Sequence, residues 1–364
     1  MEVFAERSVP LPVYGNVEIG PLQLESGETL PDVTLRFEQV GDPEAPVILI
    51  CHALTGHHRT VGTADEGWWT GFVGPGKPID IDHFQVITFN VLGGCNGSTG
   101  PTSINPSTGR PYQGDFPFIT IRDICKAQVM ALDQMGIHRL AAVIGGSLGG
   151  MQALETALLY PDLPKKVIAL AATPVFSDYA IAFNAIARKA IVDDPAWQKG
   201  YYPPESPPTA GLATARMIGM VTYRSARLFN QRFAHEEKSG WGKHHRETAY
   251  QVESYLDYQG RKLTDRFDAN SYLYLLKAMD SHDIGRGRGG WRKAIQTLKP
   301  VLHAIGFSGD LLYPPSEIKE MVDIHRMVNT GSSFIERPTI FGHDGFLVEF
   351  EKWGGYIKEW LHGH

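Results

Sequence analysis

Short apolar runs recur along the first half of the chain, at Val33–Val40, Pro46–Ala53, Phe84–Leu92, Arg139–Gly145 and Val167–Ala172. Runs this short, bounded by glycine, proline and polar turns, read as buried strands. Ile121–Leu132 has the other period, with apolar residues at helical spacing. Such alternation predicts a mainly parallel sheet with helices on both faces and an antiparallel N-terminal edge. From about Ser177 to Trp291 the strand signals vanish. Helical patterns take over at Tyr179–Ile191, Thr209–Phe233, Glu247–Tyr258 and Asp265–Met279, with Pro203-Pro204 and Pro207-Pro208 marking a loop between helices. Strand and helix alternate again from Lys299. The predicted organisation is one α/β core in two parts, residues 1–176 and 292–364, with 177–291 inserted as an all-helical lid.

At the centre of this pattern Leu140-Ala141-Ala142-Val143-Ile144 runs into Gly145-Gly146-Ser147-Leu148-Gly149-Gly150 and then the helical Met151–Glu155. Strand, Gly-x-Ser-x-Gly and helix together make a nucleophile elbow. The turn is tight enough to force the serine backbone into an unfavourable region, and Gly145 and Gly149 lack side chains because strand and helix approach closely there. Oγ of Ser147 then stands clear of the backbone, beside the positive end of a helix.

An elbow serine needs a base and a residue to orient it, in the order Ser, Asp/Glu, His. Asp310 follows the strand pattern Val301–Ser308, and His343 sits between Gly342 and Gly345 after Phe334–Ile340. Singly, Asp310 also reads as a cap for Pro315-Ser316-Glu317, and His343 as a surface or hydrogen-bonded residue. Order and placement make Ser147, Asp310 and His343 the predicted triad. The oxyanion donors are then the N–H groups of Leu148 and of Leu54, the latter in the loop Cys51–His58.

The chain has 364 residues, 43% apolar and 20% charged, which suits one globular domain with a large insertion. A net charge of −6 argues against a general nucleic-acid binder. Cys51, Cys95 and Cys125 lack disulfide or zinc spacing, and His52, His57 and His58 lack a carboxylate to complete a ligand set, so no metal is expected. The start, with Glu2 and Glu6, lacks a signal-peptide core, and no stretch approaches the ~18–20 apolar residues of a membrane span. A reduced, cytoplasmic protein is the expectation. Gly285-Arg286-Gly287-Arg288-Gly289-Gly290 reads as a flexible lid-to-core linker with a weak role toward an anionic substrate.

The elbow Gly145–Gln152 resembles that of the homoserine O-acetyltransferase family, within the α/β-hydrolase superfamily. The resemblance extends through His52-Ala53-Leu54-Thr55-Gly56, Asn90–Cys95 with Gly97–Pro101, Asp115-Phe116-Pro117 and Gly342-His343-Asp344. It continues through Ala215–Gly219, Thr222–Ser225 and Phe267–Leu273 in the helical block, spanning nearly the whole chain. Gln113-Gly114 before Asp115 and Gly345 after Asp344 depart from the family pattern in loops. The resemblance implies an α/β-hydrolase fold and ping-pong transfer of acetyl from acetyl-CoA, a co-substrate and not a bound cofactor, to the γ-hydroxyl of L-homoserine in methionine biosynthesis. It also implies that Arg216 grips the substrate carboxylate, Asp344 holds the ammonium and Tyr223 helps position the substrate. Read without it, these three are a surface cation, a turn carboxylate and a packing aromatic. A succinyl donor, a serine acceptor and plain ester hydrolysis stay open. The lid helices, with Tyr250, Tyr255, Tyr272 and Tyr274, suit the homodimer interface that such relatives show.

Overall fold

The structure, a computed structural model, describes residues 11–63, 66–238, 245 and 248–363. Glu2, Glu6 and Glu247 therefore lie outside the described residues. The strands in chain order are β1 (Val13–Gln23), β2 (Thr29–Val40), β3 (Val47–Cys51), β4 (Val73–Gly74), β5 (Ile79–Asp80), β6 (Gln85–Phe89), β7 (Ile104–Asn105), β8 (Arg110–Pro111), β9 (Ala142–Gly146), β10 (Lys166–Leu170), β11 (Val301–Phe307) and β12 (Ser333–Arg337). Eight of them form the central sheet in the order β1-β2-β6-β3-β9-β10-β11-β12, while β4–β5 and β7–β8 are small ribbons. β2 runs antiparallel to both β1 and β6, and the remaining pairs in the sheet are parallel.

The helices are α1 (Ile121–Gln134), α2 (Leu148–Leu159), α3 (Asp178–Val192), α4 (Thr209–Tyr223), α5 (Ala226–Phe233), α6 (Gln251–Thr264), α7 (Ala269–Asp280), α8 (Trp291–Gln296), α9 (Pro315–Arg326) and α10 (Phe350–His362). Side chains alternate across the sheet. Leu49, Val143 and Ala169 meet Ile124 of α1 and Leu154 of α2 on one face, and Ile48, Ile144 and Ile168 meet Trp69, Trp353 and Ile357 on the other. Burial on both faces is why β3, β6, β9 and β10 read as unbroken apolar runs.

α3 to α7 lie between β10 and β11 in the chain. The predicted helix Thr209–Phe233 is two, because Arg224 is extended (φ −118°, ψ 148°) and the Ser225 hydroxyl caps α5 through the Leu228 amide at 3.1 Å. Of the tyrosines expected at an interface, Tyr272 is buried in its own chain, Tyr274 donates to the Gly114 carbonyl at 2.9 Å and Tyr255 bonds to Arg224. The reading of Gly285–Gly290 as a flexible, anion-holding linker is corrected. Arg286 pairs with Glu25 at 2.9 Å and Arg288 with the buried Glu155 at 2.9 Å, while Arg122 bridges both carboxylates at 3.2 and 3.1 Å. The arginines already have anions from their own chain. Among the described residues, no helix is long and apolar enough to cross a membrane, and no cluster of His, Cys, Asp or Glu is arranged to hold a metal.

Candidate active site

β9 delivers the chain into Ser147, whose backbone is at φ 57°, ψ −125°. That conformation is costly for a residue with a side chain, so the surroundings must hold it. They do: the Ser147 N–H donates to the Leu170 carbonyl at 3.0 Å, and α2 begins at the next residue. A Cβ on Gly145 would lie 2.3 Å from the Gly149 backbone, and one on Gly149 would lie 2.0 Å from the Cys51 carbonyl oxygen. Only glycine fits both positions.

Asp310 lies just past β11 and is buried. One carboxylate oxygen accepts from the amides of Leu312 and Tyr313 at 2.9 and 3.0 Å, and the other from Nδ1–H of His343 at 2.8 Å. Asp310 thus caps its own loop, and not α9. His343 sits in a 3-10 turn, Gly342–Leu347, with its ring stacked on Tyr313 at 4.9 Å and edge-on to Phe346 at 5.4 Å. Burial works against a charged ring there, but the Asp310 carboxylate overrides it and lifts the imidazole pKa above the ordinary histidine value. Tyr313, beside Ser147, and Tyr223, 5.8 Å from the His343 ring, bring base and serine to one cavity. Among the described residues Ser147 and His343 share no hydrogen bond, a contact that often forms fully only with substrate in place.

Leu54 and Leu148 are both buried, and among the described residues neither amide donates a hydrogen bond. Amides left without a partner are the kind of donor that an oxyanion takes up. Their rigidity comes from residues that sequence reasoning missed. The Val91 amide donates to Nε2 of His52 at 3.1 Å, so the ring proton is on Nδ1, 2.8 Å from the Ala53 carbonyl. Burial pushes the His52 pKa down to about 4, which keeps this tautomer neutral. Nε2 of Gln152 donates to the Leu148 carbonyl at 3.0 Å and the His52 carbonyl at 3.4 Å, and its Oε1 accepts from Gln128 at 2.9 Å. One amide side chain therefore joins the two donor segments. Gln152 falls within the elbow resemblance, which is the one sequence signal that could have found it.

Phe176, Phe183, Tyr223, Tyr272, Met279 and Leu312 close over Ser147, leaving about 20 Å³ free. That is room for about one water. Arg216 lies 5.8 Å over the Tyr223 ring and has no carboxylate partner among the described residues. Asp344 is engaged: its Oδ2 accepts from Nε of Arg224, at the end of α4, at 3.0 Å, and Arg224 also reaches Tyr255.

Residues 46–329 match the α/β-hydrolase fold family. The chain is 48% identical over 340 residues to homoserine O-acetyltransferase of Symbiobacterium thermophilum, covering 91% of this chain and 89% of that protein. Among solved structures, homoserine O-acetyltransferase from Bacillus anthracis superimposes with a TM-score of 0.90 at 29% identity, over 97% of this chain and 98% of that one. Esterase E22 superimposes with the same TM-score of 0.90 at 28% identity, over 97% of this chain and 100% of that one.

Proposed function

The chain belongs to the homoserine O-acetyltransferase family of α/β-hydrolase-fold proteins, and from that premise we propose that it carries acetyl from acetyl-CoA to the γ-hydroxyl of L-homoserine through acetyl-Ser147. The observation that carries this reading is the 48% identity to a homoserine O-acetyltransferase over nine-tenths of the chain. His343 takes the proton of Ser147 as Oγ attacks the thioester carbonyl. Asp310 holds the ring tautomer, and the Leu54 and Leu148 amides receive the oxyanion. The tetrahedral adduct collapses, and CoA leaves as the thiol with the proton that His343 held. Homoserine then enters, His343 takes the γ-hydroxyl proton, and the alkoxide attacks the acyl-serine. Collapse returns the proton to Ser147 and releases O-acetylhomoserine, an intermediate of methionine biosynthesis. Arg216, lacking a carboxylate of its own, is assigned to the substrate carboxylate, and Tyr223 to its positioning. Asp344 is assigned to the ammonium through the oxygen that Arg224 leaves free.

We read α3–α7 as a lid that keeps water from the acyl-enzyme, and the protein as a cytoplasmic homodimer formed through that block. The dimer reading is supported by Tyr179, Ile186, Val221 and Tyr258, which expose apolar surface on α3, α4 and α6. Hydrolysis is the second reading, favoured by the equal superposition on esterase E22. Thiol release from acetyl- and succinyl-CoA, with homoserine, serine or no acceptor, separates these. Acetyl-CoA with homoserine should be fastest by a wide margin. Equal release with and without homoserine would establish the hydrolase. Ser147→Ala should lose several orders of magnitude in kcat on acetyl-CoA while remaining folded.

A further inference from the structure

Away from Ser147, a cleft of about 570 Å³ opens beside the oxyanion loop, lined by Arg36, His57, His58 and Arg59. Its charge is basic on balance. Glu66, its one carboxylate among the described residues, is paired with Arg59, and the side-chain partner of Arg36 is the neutral Asn16 at 3.3 Å. His58 is only 6% exposed, and among the described residues neither of its ring nitrogens has a partner. A neutral imidazole always carries one N–H donor, so the cleft holds a donor that the chain itself does not satisfy. Burial first, then the neighbouring His57 and after it the Arg36 and Arg59 cations, push the His58 pKa down to about 3.

The cleft is built in advance. The buried Glu38 accepts from the amides of Val61 and Gly62 at 2.8 Å each, Thr60 bonds to Thr88 at 2.7 Å, and Trp68 Nε1 donates to the His57 carbonyl at 2.9 Å. Cys95 forms a wall common to this cleft and to an adjoining cavity of about 530 Å³ that contains Arg266. That second cavity has apolar walls and two carboxylates, Asp265 and Asp268, so it repels phosphate. Its Arg266 donates to the Thr55 carbonyl at 2.8 Å, one residue from the Leu54 amide. The basic cleft and the less polar cavity thus both border the Cys51–His58 loop, the first through His57 and His58 and the second through the Arg266 bond to Thr55.

We propose that this cleft docks the phosphate-bearing nucleotide end of the acyl donor, with the 3′-phosphate and diphosphate of CoA facing Arg36, Arg59 and the N–H of His58, and its thioester arm running past Arg266 to Ser147. The proposal rests on the reading of acetyl-CoA as donor. Phosphates take charge-assisted bonds from arginine forks, and a preformed site loses little on ordering. The arm beyond the diphosphate is amide and methylene, which suits the less polar cavity.

The test compares wild type with Arg36→Gln/Arg59→Gln and the rescue variant Arg36→Lys/Arg59→Lys, with acetyl-CoA and S-acetylpantetheine, which lacks the nucleotide, as donors. Adenosine 3′,5′-bisphosphate binding is measured separately by calorimetry. In the glutamine variant we expect KM for acetyl-CoA to rise about tenfold or more with kcat little altered. The preference for acetyl-CoA over S-acetylpantetheine should shrink by the same factor, bisphosphate binding should weaken about tenfold, and lysine should restore most of each loss. An unaltered KM for acetyl-CoA, or an equal loss on both donors, overturns the proposal. Failure of the wild type to acetylate homoserine from acetyl-CoA would instead overturn the function, while a bisphosphate site lost in the glutamine variant would still uphold the cleft.

Discussion

At the scale of single residues, the proposed mechanism makes the Asp310–His343 bond decide both rate and pH response. A base must be neutral to act, and Asp310 raises the His343 pKa above its ordinary 6.5. Activity should therefore climb with pH along a limb centred above 6.5 in kcat/KM profiles. Asp310→Asn should cut kcat about 10⁴-fold and move that limb to lower pH. The same shift has a stability sign. The folded state binds this proton more tightly than the unfolded chain, so its stabilisation is full below pH 6.5 and fades as pH rises through the folded pKa. Urea midpoints of wild type and Asp310→Asn, followed from pH 6 to 9, should converge as this contribution disappears. Gln152→Ala should lower kcat about tenfold or more, because it unties the Leu148 and His52 carbonyls and with them the proposed oxyanion donors. The order Ser147, Asp310, His343, each after its own strand, was legible in the sequence, and the structure brings Asp310 and His343 into contact. Gln152, His52 and Tyr313 were not legible, since their roles depend on Gln128, Val91 and His343, which only folding brings near.

At the scale of elements, the buried strands and the antiparallel N-terminal edge were legible, and the outermost strand β1 itself was not. β1 passes through Gly15, Gly20 and Pro21, which read as turn signals, yet it pairs with β2 across two irregularities in register while Val17, Ile19 and Leu22 point inward. The break between α4 and α5 also escaped, because a serine inside an amphipathic run becomes a cap only when the chain there must turn. The Gly285–Gly290 segment was misread for a related reason: its arginines are answered by Glu25 and Glu155 from distant elements. Glu155 is 2% exposed and faces two arginines, so Glu155→Ala leaves two cations without their buried anion. We expect a loss of about 3 kcal/mol or more, read as a lower urea midpoint, with the KM for homoserine little altered.

At the scale of the whole molecule, α3, α4 and α6 carry the apolar positions Tyr179, Ile186, Val221 and Tyr258, each about half exposed. Light scattering should give twice the monomer mass, and Val221→Asp/Tyr258→Asp should return it to the monomer value with the secondary structure retained. The ion pair between Arg224 and Asp344 spans the same block and the base loop, for Arg224 closes α4 and Asp344 directly follows His343. One guanidinium thus fastens the residue after His343 to the helical block whose Phe183, Tyr223 and Tyr272 roof Ser147, so that roof and the histidine's loop share an anchor.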